Sequence, residues 1–244
     1  MRMIGMLAVA SAVVLSGCGG DDDDVEDLLR APAAIYFHNQ ITDTGAGDAS
    51  STTVDLLARG DVLFSQRLYS TDEQDGLRFK LNADTETVTF RVNNSTVTEL
   101  VEDTSLSLSA DQKYTLVAMG QVSGSGDLVP TLKLYQQSVA GVAADKVRIR
   151  LINALSGKDG SPMIVYDDEN ALADGFMYGA SRPFKEATPE SDTKLTLTII
   201  EYALNITHTA SCAVKAGKSY DVILAHPAYD SGAVDIFCQQ VHGS

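Results

Sequence analysis

Two stretches of this sequence, 106 positions apart, carry the same order of residues. Residues 105–119 read SLSLSADQKYTLVAM and residues 211–225 read SCAVKAGKSYDVILA. Both stretches contain the same features in the same order: serine, an inner apolar position, alanine, a turn, tyrosine and a hydrophobic run. Residues 35–39 (IYFHN) likewise align with residues 149–153 (IRLIN). The pattern predicts a duplicated unit of roughly 105 residues, too long for a solenoid repeat of about 20–50 residues. The alternative is a chance similarity between two all-strand segments.

The predicted secondary structure is almost entirely β-strand. Short runs rich in β-branched and aromatic residues alternate apolar and polar side chains, as half-buried strands require. In the first half these runs are residues 35–38, 54–57, 62–64, 78–81, 88–92, 106–108, 114–119 and 132–135. In the second half, residues 147–153 open the pattern again and residues 234–237 match residues 132–135. One short helix is expected within residues 167–178.

These runs predict an all-β fold. Turn-rich stretches at residues 42–51, 71–76 and 122–127 separate the strands. About 100 residues make one immunoglobulin-like sandwich. We therefore expect two tandem immunoglobulin-like β-sandwich domains, residues 31–140 and residues 141–244, with the boundary near residues 138–145.

The first seventeen residues are typical of a secretory signal peptide. Arg2 is the only charge before an apolar run at residues 3–15. That run is about 20 Å long as a helix, which is too short for an ordinary membrane span. The exit Leu15-Ser16-Gly17-Cys18 resembles the lipobox of bacterial lipoproteins, in which the cysteine becomes the lipid-modified first residue. The resemblance implies several acyl chains on Cys18, enough for stable anchoring. The alternative is an ordinary secretory peptide with an incidental cysteine.

Residues 18–30 form a predicted acidic, flexible tether. Gly19 and Gly20 precede four aspartates, and like charges repel and extend a chain. Cation binding by these aspartates is the alternative to a solvated spacer. Gly19 rather than aspartate follows Cys18, which by analogy with lipoprotein sorting favours the outer membrane in a host with two membranes. We therefore expect a cell-envelope protein, facing either the periplasm or the surface.

Three motifs of the first half resemble the DUF4397 family, a bacterial extracytoplasmic module of unassigned biochemical function. They are the Val54-Asp55-Leu56 strand, the glycine-containing turn at residues 60–64, and residues 106–120, where an apolar-Thr-apolar strand follows a tyrosine. The second half resembles the family less, because Val165-Tyr166-Asp167 replaces the Val-Asp strand and residues 183–192 are an insertion. The resemblance implies an immunoglobulin-like fold and a surface or periplasmic setting. It supplies no catalytic residues.

The cysteine pattern predicts one disulfide bond. With Cys18 assigned to lipid, Cys212 and Cys238 remain, and an exported, oxidising setting favours their pairing. By the repeat, Cys212 corresponds to Leu106 and Cys238 falls near Tyr135, so both counterparts are apolar. The second half would then join these two positions by a covalent bond, whereas the first half would hold them together by burying apolar side chains. Two reduced, buried cysteines are the alternative.

Composition limits the classes of function. The chain has 244 residues, of which 33 are acidic and 18 basic, giving a formal charge of −15. Because nucleic-acid binding needs a basic face that displaces phosphate counterions, this charge argues against such a partner. The hydrophobic content of 44% is enough for a packed core. The lack of tryptophan weakens the case for an aromatic platform that binds sugars.

No motif predicts catalytic or cofactor-binding residues. The four histidines have no spacing typical of zinc sites and are expected to be structural: His38, His208, His226 and His242. Ala216-Gly217-Lys218-Ser219 resembles part of a phosphate-binding loop. Cys212 stands where that motif needs a glycine, however, and a strand rather than a helix is predicted to follow.

Acidic loops give only weak metal candidates. Loop carboxylates combined with backbone carbonyls suit calcium. The candidates form three clusters: Asp43 and Asp48; Asp72, Glu73 and Asp75; and Asp167, Asp168 and Glu169. None has the spacing of a calcium-binding D-x-D-x-D-G loop, and a solvated acidic surface is the favoured interpretation.

The sequence thus predicts a lipid-anchored, non-enzymatic envelope protein that binds or scaffolds through its loops. A glycan, a matrix component or another envelope protein is the expected partner, because loops on rigid scaffolds carry recognition. Residues 42–51 and 167–192 are the candidate contact regions. Two alternatives stay open, an envelope enzyme acting on polysaccharide and a calcium-dependent adhesin. A deep cleft with convergent polar groups would favour the enzyme.

Overall fold

The fold is all-β, as the sequence predicts. The computed structural model describes residues 30–42, 53–69, 73–95, 99–156, 162–168, 170–227 and 233–242. The predicted signal peptide, Cys18 with its predicted lipidation and most of the predicted tether lie outside these residues, as do Asp43, Asp48, Asp72 and Glu169. No helix in the described part is long and apolar enough to cross a membrane.

The described residues of the first half form eight strands, one for each predicted run. They are β1 (Ala33–Thr42), β2 (Val54–Ala58), β3 (Asp61–Arg67), β4 (Leu77–Phe79), β5 (Thr85–Asn94), β6 (Val101–Ser109), β7 (Lys113–Gln121) and β8 (Thr131–Gln136). They form two four-stranded sheets, ordered β4-β1-β7-β8 and β3-β2-β5-β6. Each alternating strand turns its apolar residues toward the other sheet, which makes the half a β-sandwich.

The second half repeats this arrangement strand for strand. Its strands are β9 (Val147–Asn153), β10 (Met163–Asp167), β11 (Asn170–Phe176), β12 (Lys185–Ala187), β13 (Lys194–Glu201), β14 (Ile206–Ala213), β15 (Ser219–Ala225) and β16 (Asp235–Gln240). Its sheets are ordered β12-β9-β15-β16 and β11-β10-β13-β14. In both halves the first and seventh strands run parallel and all other paired strands run antiparallel.

Matched hydrogen bonds show that the two halves share side-chain detail as well as topology. The hydroxyl of Tyr114 accepts the N–H of Ser109 at 2.8 Å, and that of Tyr220 accepts the N–H of Lys215 at 2.6 Å. A buried asparagine at the end of β1 and of β9 accepts the N–H two residues further on, at 3.1 Å in both cases (Asn39 from Ile41, Asn153 from Leu155). These contacts fix which residues are equivalent.

The repeat alignment near the end of each half needs a correction of two residues. Leu132 lies opposite Ala118, whereas Ile236 lies opposite Leu224, the equivalent of Ala118. Residues 132–135 therefore correspond to residues 236–239 and not to 234–237. The cause is a difference in loop length between the seventh and eighth strands, which sequence similarity alone does not reveal.

The prediction of a short helix within residues 167–178 is wrong, because β11 occupies most of that segment. Leu172, Ala173 and Phe176 are buried at a spacing that resembles one face of a helix. The strand has register irregularities against β10, and such bulges interrupt the strict two-residue alternation of side chains. One 3-10 turn, Gly126–Leu128, is described in full.

The two sandwiches pack together through the sheets that contain β1 and β9. An apolar cluster fills this seam, formed by Tyr69, Val117, Met119, Ile152, Ala154, Ile223, Ala225 and Phe237. Polar contacts surround it. Thr115 donates to Asp221 at 2.5 Å, and His38 Nε2 and Gln239 Oε1 are 3.0 Å apart. Strands β7 and β15 are consequently buried on both faces.

The seam gives the molecule two distinct ends. Thr42 and Ser156 meet across it, as do Thr115 and Asp221, and each pair joins equivalent positions of the two halves. A pseudo-twofold axis therefore runs along the strands. Arg30 and His242 lie at one end, which we call the proximal end. The other, distal end carries Thr42, Ser156 and the 3-10 turn.

The predicted disulfide between Cys212 and Cys238 is present. It joins β14 to β16 and so links the two sheets of the second sandwich. The equivalent positions of the first sandwich are Leu106 and Leu134, which pack against its core. An apolar contact in one half is thus replaced by a covalent bond in the other.

Candidate binding groove

The described calcium candidates do not assemble into a metal site. Asp167 is buried, and its Oδ2 accepts the N–H of Thr188 at 2.6 Å, whereas the next residue, Asp168, is exposed. Glu73 lies against the seam, where its Oε1 accepts the N–H of Gln240 at 3.2 Å, and Asp75 lies two residues further on in the same loop. No group of three or more metal-ligating side chains occurs in the described part of the chain.

Each histidine has a structural environment. His38 is buried in the seam beside Gln239. His208 pairs with the buried Glu201 at 2.5 Å, and Nδ1 of His226 contacts the carbonyl of Ala233 at 3.1 Å. The ring of His242 stacks on Tyr36 with a centroid distance of 5.1 Å. These contacts agree with the sequence-based expectation of structural histidines.

A broad groove lies on the outer face of the β3-β2-β5-β6 sheet. Its volume is about 440 Å³. The lining residues come from β2, its following turn, β5 and β6: Leu57, Arg59, Gly60, Thr89, Arg91 and Asp103. We call this the outer-face groove. Gly60 has a φ of +88°, which the tight β2–β3 turn requires and which a residue with a side chain rarely adopts.

Two arginine–carboxylate networks form the polar walls of the outer-face groove. Arg91 contacts Asp103 at 2.8 Å and Glu99 at 2.7 Å. Arg59 reaches Glu86 through both Nε (3.1 Å) and Nη2 (2.6 Å). The guanidinium of Arg59 also lies 4.9 Å from the ring centroid of Phe79, so this residue covers the end of the core as well.

These networks keep their carboxylates ionised. The hydrogen bond from Arg91 is the main cause that lowers the pKa of Asp103. Burial alone would raise the pKa of Glu86, but the backbone N–H of Asn82 and the Arg59 guanidinium outweigh it and lower that pKa. The groove therefore presents fixed N–H donors and fixed anionic acceptors side by side at neutral pH.

The second sandwich provides an internal comparison for this groove. From the strand registers, Arg91 corresponds to Thr198, Asp103 to Thr209 and Leu57 to Tyr166. The same fold is thus built without the charged network. Exposed ion pairs add only about 0–1 kcal/mol to stability, so fold stability gives little reason for the arginines and carboxylates of the first sandwich.

Another groove, which contains carboxylates, lies beside the disulfide. It has a volume of about 270 Å³ and contains two carboxylates, Glu73 and Asp235. Burial raises the pKa of Asp235, although the N–H of Ile236 opposes that shift. Glu73 is already bound to the N–H of Gln240. Its remaining walls are Ser211, Ala213, Ile236, Phe237 and the disulfide.

No protein-family model matches the chain, and no curated protein does. Among solved structures, one similar chain is a family 41 carbohydrate-binding module from streptococcal virulence factors, studied for alpha-glucan recognition. It is 10% identical, over 85% of this chain and 97% of that one, with a TM-score of 0.26. Another is a candidate cell-adhesion protein from Bacteroides ovatus, 11% identical over 88% and 98%, with a TM-score of 0.20.

The outer-face groove was not predicted from the sequence. Its residues are up to 46 positions apart, from Leu57 to Asp103, and only the β2–β5 and β5–β6 pairings bring them together. The signal that could have revealed it is the repeat itself. When the two halves are aligned, Arg91 and Asp103 of the first half correspond to threonines of the second half. These positions face outward from the strands.

Proposed function

We propose that this protein is a lipid-anchored, non-enzymatic cell-envelope module that binds a polyhydroxylated ligand, a glycan, in the outer-face groove. The observation that supports this most is the paired donor and acceptor network of Arg91, Asp103 and Arg59 beside the hydroxyl of Thr89. Adjacent hydroxyl groups of a sugar both donate and accept hydrogen bonds. A row of fixed guanidinium donors and carboxylate acceptors matches them, and Leu57 offers an apolar contact for the ring.

The ligand class follows from the charge of the groove. Two arginines face Glu86, Glu99 and Asp103, so the cluster carries no net positive charge. A phosphate or a polyanion would be repelled by the three carboxylates there. A neutral sugar would not be repelled, and its hydroxyl groups could bond to both the guanidinium and the carboxylate groups. The surface is preformed, since each guanidinium is held in place before a ligand arrives.

The position of Arg30, the first described residue, fits an anchored role. Arg30 lies at the proximal end and pairs with Asp84 at 3.1 Å. Arg30 follows Cys18 by twelve positions, and an extended chain of that length spans at most about 40 Å. A lipid on Cys18 would therefore place the proximal end toward the membrane, with the outer-face groove on the side of the molecule.

The decisive experiment exchanges groove residues for those of the second sandwich. The variant R91T/D103T installs the threonines found at the equivalent positions, which the same fold accepts. Glycan microarray screening of the wild-type protein identifies the ligand, and isothermal titration measures its affinity. We expect at least a tenfold loss of affinity in R91T/D103T with a nearly unchanged melting temperature.

The matched control is T198A/T209A, which changes the equivalent positions of the second sandwich and should bind as the wild type does. Equal affinity of R91T/D103T and wild type would refute the groove as the binding site. A failure of the wild type to bind any glycan on the array would refute the ligand class.

A further inference from the structure

A second groove runs along the seam at the proximal end, separate from the outer-face groove. It consists of two adjoining cavities of about 190 and 260 Å³, which share Val139 and His242. The first cavity is otherwise lined by Gln112, Lys113, Gln136, Gln137 and Ser138, and the second by Ala140, Gly217, Lys218, Ser219, Gln240 and Val241. We call this the seam groove.

The lining of the seam groove differs in charge from the rest of the chain. The described residues that line the two cavities include no carboxylate, although acidic residues outnumber basic ones 33 to 18 in the full sequence. Lys113 contributes an ammonium group from the first half, and Lys218 contributes one from the second. Oε1 of Glu73, which lines neither cavity, lies 3.8 Å from Nε2 of His242, the histidine that the two cavities share.

The walls of the seam groove are held in place by both halves. Gln136 donates to Gln112 at 2.8 Å, and the N–H of His242 donates to Oε1 of Gln137 at 3.0 Å. The stacking of His242 on Tyr36 fixes its ring between the two cavities. Sites preorganised in this way lose less entropy when a ligand binds.

An unsatisfied polar group lies in the wall of the second cavity. Ser219 is 3% exposed, and its hydroxyl has no hydrogen-bond partner. A buried hydroxyl without a partner costs free energy, so its retention beside Lys218 in the wall of this cavity points to a bound acceptor. Together with the lysines, this hydroxyl favours an anionic oxygen ligand over a cation or an apolar group.

We propose that the seam groove binds a phosphate-bearing group, either a phospholipid headgroup or a soluble phosphate ester. The lysine ammonium groups act as point charges for the phosphate, and the glutamine amides donate to its remaining oxygens. The mode differs from that of a phosphate-binding loop, because the strand β15 and not a helix follows Lys218. The groove opens at the end where Arg30 enters, so a headgroup source fits an anchored protein.

The test compares two lysine variants that lose equal charge. K113Q/K218Q removes both ammonium groups of the seam groove. K133Q/K194Q removes two lysines that line neither cavity. Binding of glycerol 3-phosphate is followed by ³¹P NMR line broadening and by isothermal titration. We expect the dissociation constant to rise at least tenfold in K113Q/K218Q and to stay within twofold of wild type in K133Q/K194Q.

A second arm distinguishes the two phosphate sources. The full chain is placed in nanodiscs of phosphatidylglycerol or of the phosphate-free digalactosyldiacylglycerol, and amide hydrogen exchange is measured. Protection of residues 136–140 and 217–219 in the phosphatidylglycerol discs alone supports a headgroup, whereas binding of glycerol 3-phosphate without such protection supports a soluble ester. The proposal is wrong if neither probe perturbs the seam groove, or if the two lysine variants lose binding equally. Since these variants leave the outer-face groove intact, its glycan affinity reports separately on the proposed function.

Discussion

Thr42 and Ser156, which occupy equivalent positions in the two sandwiches, hydrogen-bond to each other through their hydroxyls at 3.0 Å in the buried seam. Thr115 and Asp221 are a second equivalent pair in direct contact. When equivalent residues meet, the contact lies on the twofold axis, as in an isologous homodimer interface. This chain therefore contains within itself the kind of interface that most symmetric proteins form between two subunits.

Asp221 is the residue on which the polar part of the seam depends. It is fully buried and accepts from Nε and Nη2 of Arg150 at 2.7 and 2.9 Å, besides the hydroxyl of Thr115. Removing one partner of a buried ion pair leaves the other uncompensated, at a cost of about 3–5 kcal/mol. We expect D221A to lower the free energy of unfolding by that amount in urea titrations. D61A, at an exposed aspartate, is the control, and equal stability of the two variants would contradict the assignment.

The tyrosines at the start of β7 and β15 allow a matched test of the repeat. Each hydroxyl accepts a backbone N–H five residues earlier. Removing that acceptor leaves the N–H unsatisfied, which costs about 1–3 kcal/mol. We expect Y114F and Y220F to be destabilised by similar amounts, as measured by chemical denaturation. Y202F, at a largely exposed tyrosine, should be neutral. A loss in only one of the two halves would show that the hydroxyls have different roles.

The disulfide between Cys212 and Cys238 should stabilise the second sandwich. It closes a loop with a sequence separation of 26 residues, and the chain-entropy relation gives about 3.5 kcal/mol for that length. We expect reduction with dithiothreitol, or the variant C212A/C238A, to lower the free energy of unfolding by about 2–4 kcal/mol. Thiol titration of the denatured, unreduced protein checks the bond directly. Two reactive thiols from Cys212 and Cys238 would rule it out.

Local patterns were enough to predict the strands, because the alternation of apolar and polar residues involves neighbours in sequence. The duplication was predicted because the same order of residues recurs 106 positions later. The pairing of Cys212 with Cys238 followed from the exported setting that the sequence predicts. The outer-face groove could not be predicted in this way, since its residues meet only across paired strands. The seam did leave a signal. Residues 116–119 of β7 and residues 222–225 of β15 are continuous apolar runs, as for strands covered on both sides, whereas the sandwich expected from the sequence covers only one.

His38 makes the seam sensitive to acid. It is fully buried between the two halves, its Nε2 lies 3.0 Å from Oε1 of Gln239, and its Nδ1 has no partner. Burial lowers the pKa of His38 to about 4, although the hydrogen bond to Gln239 opposes this shift. The side-chain amide of Gln239 donates in turn to the carbonyl of Gln240 at 3.3 Å and to Oε1 of Glu73 at 3.5 Å. The folded protein therefore keeps the imidazole neutral at pH values where an unfolded chain would protonate it.

The direction of the pH dependence follows from this difference. Between the unfolded pKa of about 6.5 and the folded value of about 4, the unfolded state binds more protons, so stability falls as the pH falls. We expect the free energy of unfolding to drop by about 2–3 kcal/mol between pH 7.5 and pH 4.5 through this residue alone. H38Q should lack this component, while carboxylates such as Glu86 and Asp103 contribute equally to both proteins. Parallel stability curves for wild type and H38Q, measured by urea titration at the two pH values, would show that His38 does not control the acid response.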